Sequence, residues 1–188
     1  MATRLETPRL VLRTYETRDV EPWIAMFSDP EVTRFIGPSS QALPRTAETF
    51  RAQMAMRLEL EEELGYAMWA VERKSTGEFI GQCGLRPAAK MDPSAGSEID
   101  LGYHFNRACW GQGYATEAVV GTLAHGLGTV GLARVMAVVE PENIGSWRVM
   151  EKAGMRREGS ASYYGMIDLK KYVAERNWWQ RPVDTAQA

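Results

Sequence analysis

Residues Glu98 to Thr116 read EIDLGYHFNRACWGQGYAT, and this stretch decides the fold. Glu98 to Phe105 reads as a strand, with Glu98, Asp100 and His104 on one face and Leu101 and Tyr103 on the other, as the two-residue period requires. The strand runs into Gly111, Gly113 and Ala115, and a helix from Thr116 to about Leu127 follows at once. Small residues let a backbone approach a ligand closely, and a helix start presents unpaired N–H groups at the positive end of its dipole. Together they suit a phosphate or pyrophosphate. They also suit a plain tight turn between strand and helix, so the spacing alone leaves both readings open.

Upstream, Arg9 to Tyr15 alternates as a first strand. Val20, Trp23, Ile24 and Phe27 form one stripe of an amphipathic helix, which Asp29-Pro30 ends; Pro30 can open a short second piece. Thr46 to Leu64 carries Phe50, Met54 and Leu58 at four-residue spacing among charges, with Gly65 as a stop signal. The Glu59–Glu63 run reads as the solvated face of that helix. Tyr66–Arg73 and Phe79–Arg86 flank KSTGE, a hairpin whose Gly77 supplies a positive φ. Pro87 to Gly96 is a loop.

Downstream, RVMAVV at Arg134–Val139 is a β-branched run suited to a buried strand. Asn143 to Ala153 is a short helix closed by Gly154, and two further strands fall within Met155–Tyr163 and Ile167–Glu175. The order is mixed α/β, without the regular alternation of a doubly wound sheet. Residues 5–180 are expected to form a single domain, followed by a polar C-terminal tail at 181–188.

The composition excludes several classes of protein. Of 188 residues, 45% are apolar and 24% charged, enough for a sizeable core and too apolar for bulk disorder. A net charge of −2 argues against direct nucleic-acid binding. Cys83 and Cys109 lie far apart and share no metal-ligand spacing with His104 and His125, so neither a metal site nor a disulfide framework is expected. MATRLETPRLVLR carries charges inside its first ten residues, unlike a signal peptide. The longest uncharged run, Ala118 to Ala133, falls short of the roughly 20 residues a membrane span needs. A cytoplasmic protein with no membrane partner is expected, as a monomer or homodimer.

The ordered set of motifs is more specific than any one of them. Strand, WGQGYATEA, helix, buried strand, Asn143 three residues before Ser146, then EKAGM, resembles the acetyl-CoA-binding core of the GCN5-related N-acetyltransferase (GNAT) superfamily. TPRLVLRTYETRDV, DPEVTRFIG and the closing pattern through Asp168, Tyr172 and Arg176 are similar to the RimJ/RimL-type branch of ribosomal-protein N-terminal acetyltransferases. The resemblance covers about Leu5 to Trp179. It implies a central, mostly antiparallel twisted sheet, splayed at one parallel strand pair and flanked by helices on both faces. It also implies acetyl-CoA as co-substrate and no metal. The family's pyrophosphate loop falls on Trp110, Gly111, Gln112, Gly113, Tyr114 and Ala115, with Trp where Gln or Arg is usual. The backbone cradle from Gly111 to Thr116 does not depend on that side chain. Pantetheine would lie between the strand ending in Tyr103, His104 and Phe105 and the Arg134–Val139 strand, paired with backbone from both sides.

The implied chemistry needs the amine to lose a proton, the thioester oxygen to be stabilised, and the leaving thiolate to find a donor. Asp100, with Glu98 as second choice, is the candidate for handling the amine proton, acting through one or two waters or as a positioning charge. Many superfamily members place Tyr seven residues after the Asn143 equivalent; here that position is Met150, which cannot donate. Ser146 is the remaining hydroxyl, with plain helix capping as its other reading, and Asn143 reads equally as the N-cap. The expected activity is therefore acetyl transfer from acetyl-CoA to a primary amine, a protein N-terminus or a small molecule. The alternative is a non-catalytic acyl-CoA-binding module.

Overall fold

The computed structural model describes residues 3–182, so Val183 to Ala188 of the expected tail lie outside the described residues. Eight strands form one sheet: β1 (Arg4–Glu6), β2 (Leu10–Arg13), β3 (Met68–Arg73), β4 (Glu78–Pro87), β5 (Ile99–Phe105), β6 (Arg134–Val139), β7 (Arg156–Tyr163) and β8 (Met166–Glu175). Their order is β1-β2-β3-β4-β5-β6-β8-β7. Every neighbouring pair is antiparallel except β5 and β6, which are parallel. The hairpin at Gly77, with φ +70°, pairs Arg73 with Glu78, and an irregularity between Val71 and Glu72 shifts the register by one before β3 and β4 continue to Met68 opposite Gly84.

Among the described residues six α-helices flank the sheet: α1 (Val20–Ser28), α2 (Pro30–Thr33), α3 (Pro38–Gln41), α4 (Ala47–Leu64), α5 (Tyr114–Leu123) and α6 (Ile144–Lys152). On one face, Leu101, Phe105, Val135 and Ala137 pack with Ala118, Val119 and Leu123 of α5 and Met150 of α6. On the other, Ala70 and Phe79 pack with Trp23 and Phe27 of α1 and Phe50 of α4. No helix among the described residues is long and apolar enough to cross a membrane.

Three expectations are corrected. The helix after the glycines starts at Tyr114, because Gly113 (φ +80°) is its N-cap, and it continues past Leu123 as a π-helical segment from Ala124 to Val130. In α4 the inward stripe is not the four-residue series: Leu58 is 42% exposed, whereas Arg57 is buried. At 100° per residue, i+7 from Phe50 returns to within about 20° of its face while i+8 overshoots by about 80°. For the same reason Glu61 of the acidic run, eleven residues after Phe50, turns inward and accepts from the Thr3 N–H and the Thr14 hydroxyl; Leu60 beside it is also buried. The short β1 and α3 were not anticipated.

Candidate active site

The parallel pair opens almost as soon as it forms, since the register between β5 and β6 is confined to Asp100 opposite Met136. At the two ends of β5, the Asn106 N–H donates to the Ile80 oxygen and the Glu98 oxygen accepts from Ala88. Backbone groups of even-numbered residues therefore turn toward β4, and those of Leu101, Tyr103 and Phe105 turn toward β6. From Tyr103 onward that edge has no strand partner. This corrects the expectation that Tyr103, His104 and Phe105 all offer backbone to the gap. The backbone of His104 faces β4, and the Phe105 oxygen accepts from Trp110 Nε1 at 2.9 Å.

The loop beyond β5 is built around exposed N–H groups. The first N–H at the head of α5 with a loop acceptor is that of Glu117, to the Gly113 oxygen at 3.0 Å. The N–H groups of Gly111, Gln112, Gly113, Tyr114, Ala115 and Thr116 have no acceptor among the described residues. Gly111, at φ +74°, borders open space, so the cradle is accessible from outside. Arg9, from the turn before β2, braces the loop from behind. It donates to the Gln112 oxygen at 2.9 Å and to Glu117 Oε2 at 2.6 Å, with its guanidinium 4.6 Å from the Tyr114 ring centre. Burial would raise the Glu117 carboxyl, but donors from Thr7 and Arg9 hold it below its ordinary range.

Across the gap stands α6. Asn143 is its N-cap, with Oδ1 accepting from the Ser146 N–H at 3.2 Å. That leaves the Ser146 hydroxyl free of capping duty, and it lies 2.7 Å from the Tyr103 hydroxyl, which also reaches the Ser146 oxygen at 2.9 Å. Met150 is buried in the core at 1% exposure. Tyr103 therefore places a phenol, from β5, beside the helix that lacks one at Met150. Burial pushes that phenol's pKa up, against the pull of the Ser146 bond.

The opposite face of β5 carries Asp100 and His104. Asp100 Oδ2 accepts from Arg86 Nε at 2.9 Å and Nη2 at 2.8 Å, a buried ion pair across the β4–β5 register. Burial raises the Asp100 carboxyl even against Arg86. Glu98 is held by Lys171 at 2.6 Å and Arg134 at 3.4 Å. His104 packs against Phe27, with ring centres 5.1 Å apart, and its Nδ1 is 3.1 Å from Gln82 Nε2. Both cysteines are buried, and the Cys83 thiol is pushed up to about 12 by burial, so neither is poised as a nucleophile. No group of three or more His, Cys, Asp and Glu among the described residues is placed to hold a metal ion.

Residues 9–156 match the family model described as an acetyltransferase (GNAT) domain. The chain belongs to the GNAT acetyltransferase family. Among curated relatives, the uncharacterized N-acetyltransferase YoaA of Bacillus subtilis is 33% identical over 164 residues, 85% of this chain and 86% of its own length. YkkB of the same organism is 34% identical over 155 residues, 81% and 85% of the two chains. The solved structure of Mycobacterium smegmatis RimJ in complex with CoA-disulfide shares the fold at a TM-score of 0.74 with 20% identity, covering 94% of this chain and 87% of that one.

Several residues of this GNAT site were not foreseen from the sequence. Arg9 carries no local signal beyond its charge. Arg57, Gln82 and Tyr15 join His104 in a buried polar chain: the Tyr15 hydroxyl donates to Gln82 Oε1 at 2.7 Å and Arg57 Nη1 to the same oxygen at 3.3 Å. The buried position of Arg57 on the Phe50 side of α4 was the available signal. A guanidinium can only donate, so Gln82 turns its oxygen to Arg57 and its NH2 to His104. Nδ1 of His104 is then an acceptor, and the ring is neutral with its proton on Nε2. Burial, and then Arg86, Arg57 and Arg45, push the imidazole down to about 3. An unfolded histidine takes up a proton near 6.5, whereas the native ring does so only near 3. The stability this group contributes is therefore present above about pH 6.5 and is lost as pH falls through that window, by about 1.4 kcal/mol per pH unit. Urea unfolding at pH 7.5, 6, 5 and 4 should show a steeper decline for the wild type than for His104→Gln. Parallel profiles would overturn the neutral assignment.

Proposed function

We propose that the protein transfers an acetyl group from acetyl-CoA to a primary amine, by direct attack within a ternary complex. The reading rests on the six consecutive N–H groups from Gly111 to Thr116 without acceptors, set beside a strand edge that β6 has left. These N–H groups would hold the pyrophosphate, where a helix start favours anions. The free backbone of Tyr103 would pair with the pantetheine arm, alongside Asn143 and Ser146. Bound acetyl-CoA supplies the thioester carbon that the amine attacks. The N–H of Tyr103 is the donor suited to charge developing on the thioester oxygen. The Tyr103–Ser146 hydroxyl pair is the donor suited to the departing sulfur.

Asp100, Glu98 and His104 are each engaged already, so the amine enters the reaction neutral, its proton having gone to solvent. A binding-only protein is the second reading, and the burial of Met150 favours it. Mass detection of acetylated product across a panel of amines separates the two. Calorimetric titration tests the loop. Gly113→Val should weaken acetyl-CoA binding by an order of magnitude or more, because φ +80° is strained for a β-branched residue and its Cβ would press on Arg9 Nη2 at 3.3 Å. Unchanged affinity in a folded variant would overturn the assignment.

A further inference from the structure

The face of β4 and β5 turned away from the N–H loop holds three guanidinium groups around His104 and one carboxylate to match them. Arg86 is satisfied by Asp100. Arg57, 8% exposed, has only neutral partners: Gln82 Oε1 at 3.3 Å, Gln53 Oε1 at 3.0 Å and the Tyr15 ring at 4.8 Å. Arg45 donates to the Ser40 oxygen at 3.0 Å and lies 5.4 Å from the centre of the Phe27 ring, the ring that also packs on His104. Neither Arg45 nor Arg57 forms an ion pair among the described residues. Taking a cation out of water without a counterion costs more than neutral hydrogen bonds return. Arg57 is such a cation, and half-buried Arg45 is a second guanidinium without a counterion among the described residues.

A second observation points the same way. Tyr164 and Gly165, at φ +61° and +75°, form the two-residue turn of the β7–β8 hairpin. The Tyr164 N–H is tied to Asp92 Oδ2 at 2.8 Å, and its ring lies 5.7 Å from the Arg86 guanidinium. Its buried hydroxyl faces Asp100 and Arg86 without a hydrogen bond of good geometry to any group among the described residues. Gly37, before α3, packs against the Tyr164 backbone, so the hairpin and the α2–α3 connection close over the same wall.

We propose that this wall receives a carboxylate carried by the acceptor, so that the substrate is an amine bearing a carboxylate, bound by Arg57 and Arg45 with the Nε2–H of His104 and the Tyr164 hydroxyl as further donors. The inference rests on the acetyltransferase reading above and names its substrate class. A planar guanidinium fork matches the two oxygens of a carboxylate. The excess positive charge also disfavours an ammonium ion. It thus favours the neutral amine that attack requires, in a site whose carboxylates are already paired. The carboxylate can belong to a free amino acid or to an acidic residue at a peptide N-terminus.

The test uses the full chain with saturating acetyl-CoA. Free amino acids are compared with their carboxamides, and peptides starting with Asp or Glu with those starting with Asn or Gln. In at least one of the two series, kcat/KM should be at least 10-fold higher for the carboxylate form, and the series that shows it identifies the source. The ratio should fall to within about twofold in Arg57→Gln. Arg45→Gln, at a less buried position, should lower the same ratio and serves if Arg57→Gln fails to fold. Calorimetry of the same amines with CoA bound reads the selectivity without turnover. Carboxylate-selective binding with no product would support the wall and overturn the transferase reading. Acetylation of carboxylates and carboxamides at equal rates would leave the transferase reading standing and overturn the wall. A preference that survives in both variants would overturn it too.

Discussion

Tyr103→Phe and Ser146→Ala should each lower kcat by roughly 10- to 150-fold, with the folded state little changed. The size follows from what the two hydroxyls can do. Tyr103 Oη lies 2.9 Å from the Ser146 carbonyl and 2.7 Å from Ser146 Oγ. The carbonyl has no proton, so the phenol donates to it and the serine hydroxyl donates to the phenol. When a thiolate departs nearby, the serine proton can turn to the sulfur while the phenol donates to Oγ instead. Burial holds the Tyr103 phenol high, so it passes on a hydrogen bond and does not ionise. What is lost on mutation is then a hydrogen bond to a charged group, about 1.5–3 kcal/mol, which is the quoted span in rate. Because the two hydroxyls act in series, the double variant should cost little more than either single one. The helix is capped by Asn143, so Ser146→Ala should leave the melting temperature within a few degrees. Steady-state kinetics with thermal unfolding decide the matter. Turnover within twofold of wild type for either variant would make the pair structural.

The parts of this site that were legible in the sequence are those set by local signals. The strand at Arg134–Val139 and the helix capped by Asn143 follow from side-chain period and capping chemistry, which act over a few residues. So does the glycine loop, whose positive φ at Gly111 and Gly113 only glycine adopts without strain. What could not be read depends on register. Arg86 and Asp100 meet because β4 and β5 pair them directly, and a shift of one residue would turn the carboxylate to the other face. Tyr103 and Ser146, 43 residues apart, meet only because β5 and β6 part after one rung. Arg57 was hidden for a different reason. A cation on the inward face of a helix contradicts the amphipathic pattern, and such local conflicts gather where a fold is shaped around a ligand.

Asp100→Asn should destabilise the protein by about 3 kcal/mol and should not behave as the loss of a general base. Removing one partner of a buried pair leaves the other charge without compensation, at a cost of roughly 3–5 kcal/mol. The low end applies because the Arg86 side chain keeps 28% of its exposure. Arg86→Gln combined with Asp100→Asn should recover part of that loss, since two neutral amides can still bond to each other. Glu98→Gln, in a more exposed network with Lys171 and Arg134, should cost no more than about 1 kcal/mol. The kinetic signature separates structure from chemistry. A lost base would depress kcat and let it recover toward pH 10, as more of the amine is neutral without help. For the folded Asp100→Asn enzyme below its melting range, the expected pH profile of kcat from 6 to 10 parallels that of the wild type, because in both the amine surrenders its proton to water. A profile that falls at pH 7 and converges with the wild type at pH 10 would restore Asp100 as the base, and would mean that Arg86 releases the carboxylate when substrate binds.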